Sequence, residues 1–117
     1  MKRSILIFAA TLLPAAAADL AGSWRLTGNI AGVAIDRACT IRQTENKIEG
    51  PCKNQVGEVV LHGAVDGKSV TWKYEAPYEG IKMMLVFKGT LESDSEIKGT
   101  ITDADNTVTG SFSAKRQ

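Results

Sequence analysis

The residues able to do chemistry in this chain are few: one histidine, His62, two cysteines, Cys39 and Cys52, an isolated Arg37 and scattered carboxylates. Nucleophilic catalysis needs a base within hydrogen-bond reach of a hydroxyl or thiol. His62 alternates out of phase with the apolar Leu61, so it faces solvent with no nucleophile beside it. Asp94, Glu96, Asp103 and Asp105 fall in two turns, expected at one end of the molecule. Their spacing is not that of a calcium loop, and they read as solvated turn residues. Two cysteines and a distant histidine do not complete a tetrahedral zinc site. A glycine-rich phosphate loop and a nucleophile elbow are both missing from the sequence. The expectation is a non-catalytic protein without metal or cofactor. Arg37 shares the parity of Val33, Ile35 and Cys39, so it points inward. An inward charge needs a partner. It is either a rim residue reaching water along its stem or a polar hook for an acidic ligand.

The compartment follows from the N-terminus and the cysteines. Lys2 and Arg3 precede the apolar run "SILIFAATLL" and then "PAAAA", the three parts of a secretory signal peptide. Residues 1–18 are therefore read as a signal peptide cleaved after Ala18, and 19–117 as one domain, periplasmic or secreted. The apolar run is shorter than the ~18 residues of a spanning helix. Cys39 and Cys52 form a disulfide in that oxidising setting. The chain carries 14 basic and 13 acidic residues, and losing Lys2 and Arg3 leaves it within one charge of neutrality. With no basic stripe, nucleic acid is not an expected partner, nor is stable membrane insertion.

After Asp19 apolar and polar residues alternate at period two, broken every eight to twelve residues by turn residues, the pattern of an antiparallel all-β domain. Eight strands are predicted, over 22–28, 32–43, 47–53, 58–65, 68–76, 81–91, 96–102 and 107–115. A turn at Glu45-Asn46 sets Cys39 opposite Cys52, with a bulge or strand end where Pro51 cannot donate. A turn at Asp66-Gly67 pairs Leu61 with Trp72. A loop at Ser93–Ser95 pairs Gly89 with Gly99, and a turn at Ala104-Asp105 pairs Gly99 with Gly110. Gly89, Gly99 and Gly110 then form one inward row. Such glycines curl a sheet until it closes, leaving room either for large core side chains or for a ligand.

Closure requires the last strand to pair with the first, which brings Arg116 to the Trp24 ring as a cap, with Lys115 the lesser candidate. Gly22 lets the chain pass beneath without a side chain. The Gly22-x-Trp24 motif, met by a basic residue from the last strand, resembles the signature of the calycin superfamily, which includes lipocalins, avidins and small bacterial metalloprotease inhibitors. The mature chain also resembles a type of small exported bacterial protein without settled function, through "G-x-W", "C-x-I-x-Q", "G-x-C", "V-D-G" and "G-x-F-x-A". The resemblance implies a single eight-stranded antiparallel up-and-down barrel and says little about activity.

Three functions fit such a barrel. The first is binding of a small apolar ligand, with Trp72, Tyr74, Met83 and Phe87 lining the interior and Arg37 or Tyr78 orienting it at the mouth. The second is an accessory or interaction module, contacting a protein partner or a second copy through an outer apolar patch of Val60, Met84 and Val86. The third, protease inhibition, would need a free N-terminal trunk, and only Asp19-Leu20-Ala21 precede the first strand. Avidins bring several more tryptophans to their pocket, so biotin is not expected.

Overall fold

The computed structural model describes residues 18–117. The signal-peptide reading of residues 1–18 lies, apart from Ala18, outside the described residues. From Gly22 onward the chain is a closed antiparallel barrel of eight strands in sequence order. They are β1 (Gly22–Ile30), β2 (Val33–Thr44), β3 (Lys47–Lys53), β4 (Glu58–Asp66), β5 (Ser69–Tyr78), β6 (Ile81–Ser93), β7 (Glu96–Asp103) and β8 (Thr109–Arg116). β8 closes on β1 with Trp24 opposite Arg116. Closure leaves no free sheet edge for another chain to extend.

Alternation decides the core. Even positions of β1, odd positions of β2 and their counterparts around the barrel are buried, and the residues between them are mostly exposed. Trp72, Phe87 and Phe112 meet in mid-barrel with ring centroids 5.2–5.3 Å apart, and Tyr74 stands 5.0 Å above Phe87. These rings fill the waist of the barrel. The glycines make room for them. A methyl group on Gly89 would stand 2.9 Å from the Phe112 ring, and one on Gly63 would lie 2.6 Å from the Trp72 Cβ. Trp72 Nε1 is buried in this packing without an acceptor among the described residues.

The floor, at the end where β1 begins and β8 ends, is sealed. Leu20 is fully buried beneath Trp24, whose Nε1 donates to the Leu20 carbonyl at 2.9 Å. The Arg116 guanidinium lies 4.5 Å from the centre of the Trp24 ring and donates to the carbonyls of Asp19, Ala21 and Asp94. Gln43 grips the same segment, accepting from the Leu20 amide and donating to the Ala18 carbonyl. Gly22 has φ +128°, and a Cβ there would meet the Arg116 guanidinium at 3.3 Å. An L side chain seldom takes that backbone conformation.

The predicted pairings of Cys39 with Cys52 and of Gly89 with Gly99 are present, and the two cysteines are disulfide-bonded. Two registers differ by a one-residue shift of the turn. Gly67 takes the first central position of its turn with φ +61°, so Asp66 stays in the strand and Trp72 pairs with Gly63 rather than Leu61. That position is where a type II′ hairpin wants glycine. Likewise Gly110 pairs with Ile101 and Gly99 with Phe112, so the glycine row stops at Gly89 and Gly99. Both shifts keep the inward face inward, because the pairing moves by two residues. Pro51 sits in a strand with no change of register. The β2–β3 pairing passes over Thr40 and Ile41 and resumes at Arg42 opposite Glu49. The irregularity in register falls instead on β6, between Leu91 and Ser93.

Candidate functional site at the open mouth

Four connections crown the end opposite the floor: β1–β2, β3–β4, β5–β6 and β7–β8. A cavity of about 200 Å³ opens among them. Its wall is mainly aliphatic, with Ile30, Val33, Ile35, Ala76, Met83, Leu85 and Val108. Tyr74, Tyr78, Asn54 and Arg37 add the polar groups, and Arg37 is the sole charged residue of the lining. Val33, Tyr78 and Ile81 remain exposed beside the hairpin turns, and Val56 in the β3–β4 loop is 86 % exposed. These apolar side chains share the rim with polar ones, among them Asn54, Gln55 and Glu79.

Each polar residue is held by its element. Arg37, half-buried on β2, extends its guanidinium to within 5.7 Å of the Tyr74 ring centre. Its Nη1 donates to the carbonyls of Cys52 and Gly57, at 3.3 and 3.4 Å, which ties it to the β3–β4 loop. That loop is organised by Asn54, whose Oδ1 accepts from the amides of Val56 and Gly57. Burial raises the Tyr74 hydroxyl above the ordinary tyrosine pKa, with the nearby Arg37 charge opposing the rise. Tyr74 therefore stays neutral at physiological pH, a hydrogen-bonding hydroxyl beside a fixed cation.

Asp103 shapes the remaining side. It is buried, and its carboxylate accepts from the Thr107 amide at 2.7 Å, the Thr107 hydroxyl at 2.5 Å and the Val108 amide at 3.0 Å. These bonds, led by the Thr107 hydroxyl, hold its pKa below the usual carboxylate value. They fold the β7–β8 loop so that Val108 joins the cavity wall. Asp103 is therefore not a solvated turn residue. Nor do the four carboxylates share an end: Asp94 and Glu96 flank the β6–β7 turn at the floor, and Asp103 and Asp105 belong to the mouth. Consecutive turns of a meander necessarily lie at opposite ends.

Of the six residues proposed as interior ligand contacts, Arg37, Tyr74, Tyr78 and Met83 line the cavity. Trp72 and Phe87 lie outside its lining, in the aromatic waist. Ile30, Asn54, Ala76, Leu85 and Val108 join the site without having been singled out. The inward parity of Ile30, Ala76 and Leu85 was readable. The roles of Asn54 and Val108 depend on how two loops fold. Elsewhere, His62 is exposed with Nδ1 3.8 Å from a Glu49 oxygen. Among the described residues no cluster of three metal-ligating side chains occurs. On the outer wall Val60 is 45 % exposed and Met84 half-buried, sharing a groove with the charged Glu58, Lys73, Glu75 and Lys82. Val86 is half-buried nearby on β6.

No protein-family model matches the chain, and no curated protein does. Among solved structures it is similar to a redesigned beta barrel, b11L5F_LGL, at 17 % identity and TM-score 0.59, covering 97 % of this chain and 99 % of that one. It is also similar to the redesigned beta barrel mFAP0 bound to DFHBI, at 15 % identity and TM-score 0.60, over 83 % of this chain and 98 % of that one. The related mFAP1, also bound to DFHBI, matches at 14 % identity and TM-score 0.58. At these identities the likeness is one of fold.

Proposed function

We propose that the chain is a non-catalytic, exported binding barrel that holds a small, mainly apolar molecule at its mouth. The observation carrying this reading is the 200 Å³ apolar cavity with a single charged side chain in its lining. A dry apolar cavity of ~150 Å³ already admits benzene, so the volume suits a body of about one ring. The redesigned barrel mFAP0 holds the small molecule DFHBI, and a binding role for this chain agrees with that use of the fold. Export is supported by the Cys39–Cys52 disulfide, which belongs to an oxidising compartment. A calycin-like relationship is supported by the floor, where Gly22, Trp24 and Arg116 meet. The other two functions draw less support. Asp19–Ala21 is bonded into the floor through Arg116, which leaves it a poor inhibitory trunk. Val60 and Met84 are ringed by charges rather than forming a broad apolar patch.

The test is an amide-resolved NMR titration with benzyl alcohol. Binding at the mouth is expected to give saturable shifts at Ile35, Ala76, Met83 and Val108, abolished by Met83→Trp, which fills the cavity. Shifts that fail to saturate up to the solubility limit would sink the reading.

A further inference from the structure

The cavity is electrostatically lopsided. Arg37 is its only charge, and among the described residues no carboxylate lies within ion-pair distance of it, whereas Arg25 pairs with Asp36 and Arg42 with Glu49. Asp103, the buried carboxylate of the mouth, has both oxygens engaged by its own loop. The two carbonyls that Arg37 meets are both taken by Nη1, and the Tyr74 hydroxyl is its other polar neighbour, so among the described residues its partners are all neutral. A half-buried cation whose partners are all neutral has kept its charge uncompensated. A guanidinium presents paired donors that match a carboxylate in two parallel bonds. Here those donors are already oriented, by the carbonyls on one side and the Tyr74 ring beside them.

Resting on the reading of the mouth as a ligand site, we propose that its ligand is a small aromatic or alicyclic monocarboxylate. The ring occupies the aliphatic cavity and the carboxylate meets the Arg37 guanidinium. The cavity volume limits the body to about one ring. The single positive charge selects one negative charge. The cost of taking that carboxylate out of water is offset only where a fixed, oriented cation receives it.

Benzoate and benzyl alcohol share a ring and differ in charge, so their affinities in one NMR titration separate the two levels of the claim. Benzoate is expected to bind about tenfold tighter or more, the usual return on a charge-assisted hydrogen bond. Arg37→Gln removes this preference while benzyl alcohol still binds, and Arg37→Lys retains part of it. Because the Gln variant also loosens the β3–β4 loop, the wild-type comparison repeated at high salt provides a second reading. Benzoate affinity should fall with salt and benzyl alcohol affinity should not. Equal affinities for the two probes would overturn the carboxylate proposal and leave the binding barrel standing. Binding of neither would overturn both.

Discussion

Asp103 reads in the sequence as a solvated turn carboxylate, yet its charge is held by three donors of its own loop. Its pKa is lowered in the folded chain, so its contribution to stability has a definite sign. Above the unfolded value of 3.8 the ionised carboxylate favours the fold, and that contribution is lost as pH falls through the lower folded value. Urea unfolding across the acid range is expected to show wild type losing stability faster than Asp103→Asn below about pH 4. Parallel acid profiles would show that the loop does not depend on the charge. Arg37 makes the opposite use of burial. It keeps a cation in mainly apolar surroundings, with two carbonyls and the Tyr74 ring against it and no carboxylate paired with it among the described residues.

At the scale of elements, the barrel wall is tightened where β6 and β7 cross. Gly89 and Gly99 face each other, and a Cβ on Gly99 would stand 2.0 Å from the Lys88 carbonyl oxygen and 2.5 Å from the Gly89 Cα. Both obstacles are backbone, so no rotamer change relieves them. Gly99→Val is expected to destabilise on the order of 3 kcal/mol, at the upper end of overpacking costs, read by equilibrium denaturation. Unchanged stability would mean the strands have room to separate. The hairpin turns explain which registers were legible. Where the sequence leaves one place for the turn, as between Thr44 and Lys47, pairing is predictable. Where two adjacent placements keep the same residues inward, as around Gly67, patterning cannot choose between them. Backbone conformation does, through the positive φ at Gly67.

At the scale of the whole described chain, residues 18–117 form a plugged cylinder, with a sealed floor, an aromatic waist and an open mouth. The disulfide staples β2 to β3, with Cys39 opposite Trp24 on the neighbouring strand, and closes a short loop, with a sequence separation of 13. Reduction is expected to cost about 3 kcal/mol by the loop-closure argument, measured as the change in unfolding free energy with and without a thiol reductant. A negligible change would place the stability in the barrel's core alone. The cost should be accompanied by loosening at the mouth, because Cys52 supplies one of the carbonyls that hold Arg37.

Alternation, turn residues and paired cysteines were enough for the sequence alone to determine an all-β chain, its strand order, its inward face, the disulfide and the Trp24–Arg116 floor. These are local or nearest-neighbour consequences, since parity and hairpin order propagate from one strand to the next. Which inward residues fill space and which enclose it was decided only by the tertiary structure. Trp72 and Phe87 have the same parity and chemistry as Tyr74 and Met83, yet the first pair closes the waist and the second lines the mouth. The difference is height along the barrel axis and the reach of loops from other strands. Asn54 and Asp103 fold those loops through bonds to their own neighbours, and no periodicity in the chain records where the folded loops come to rest.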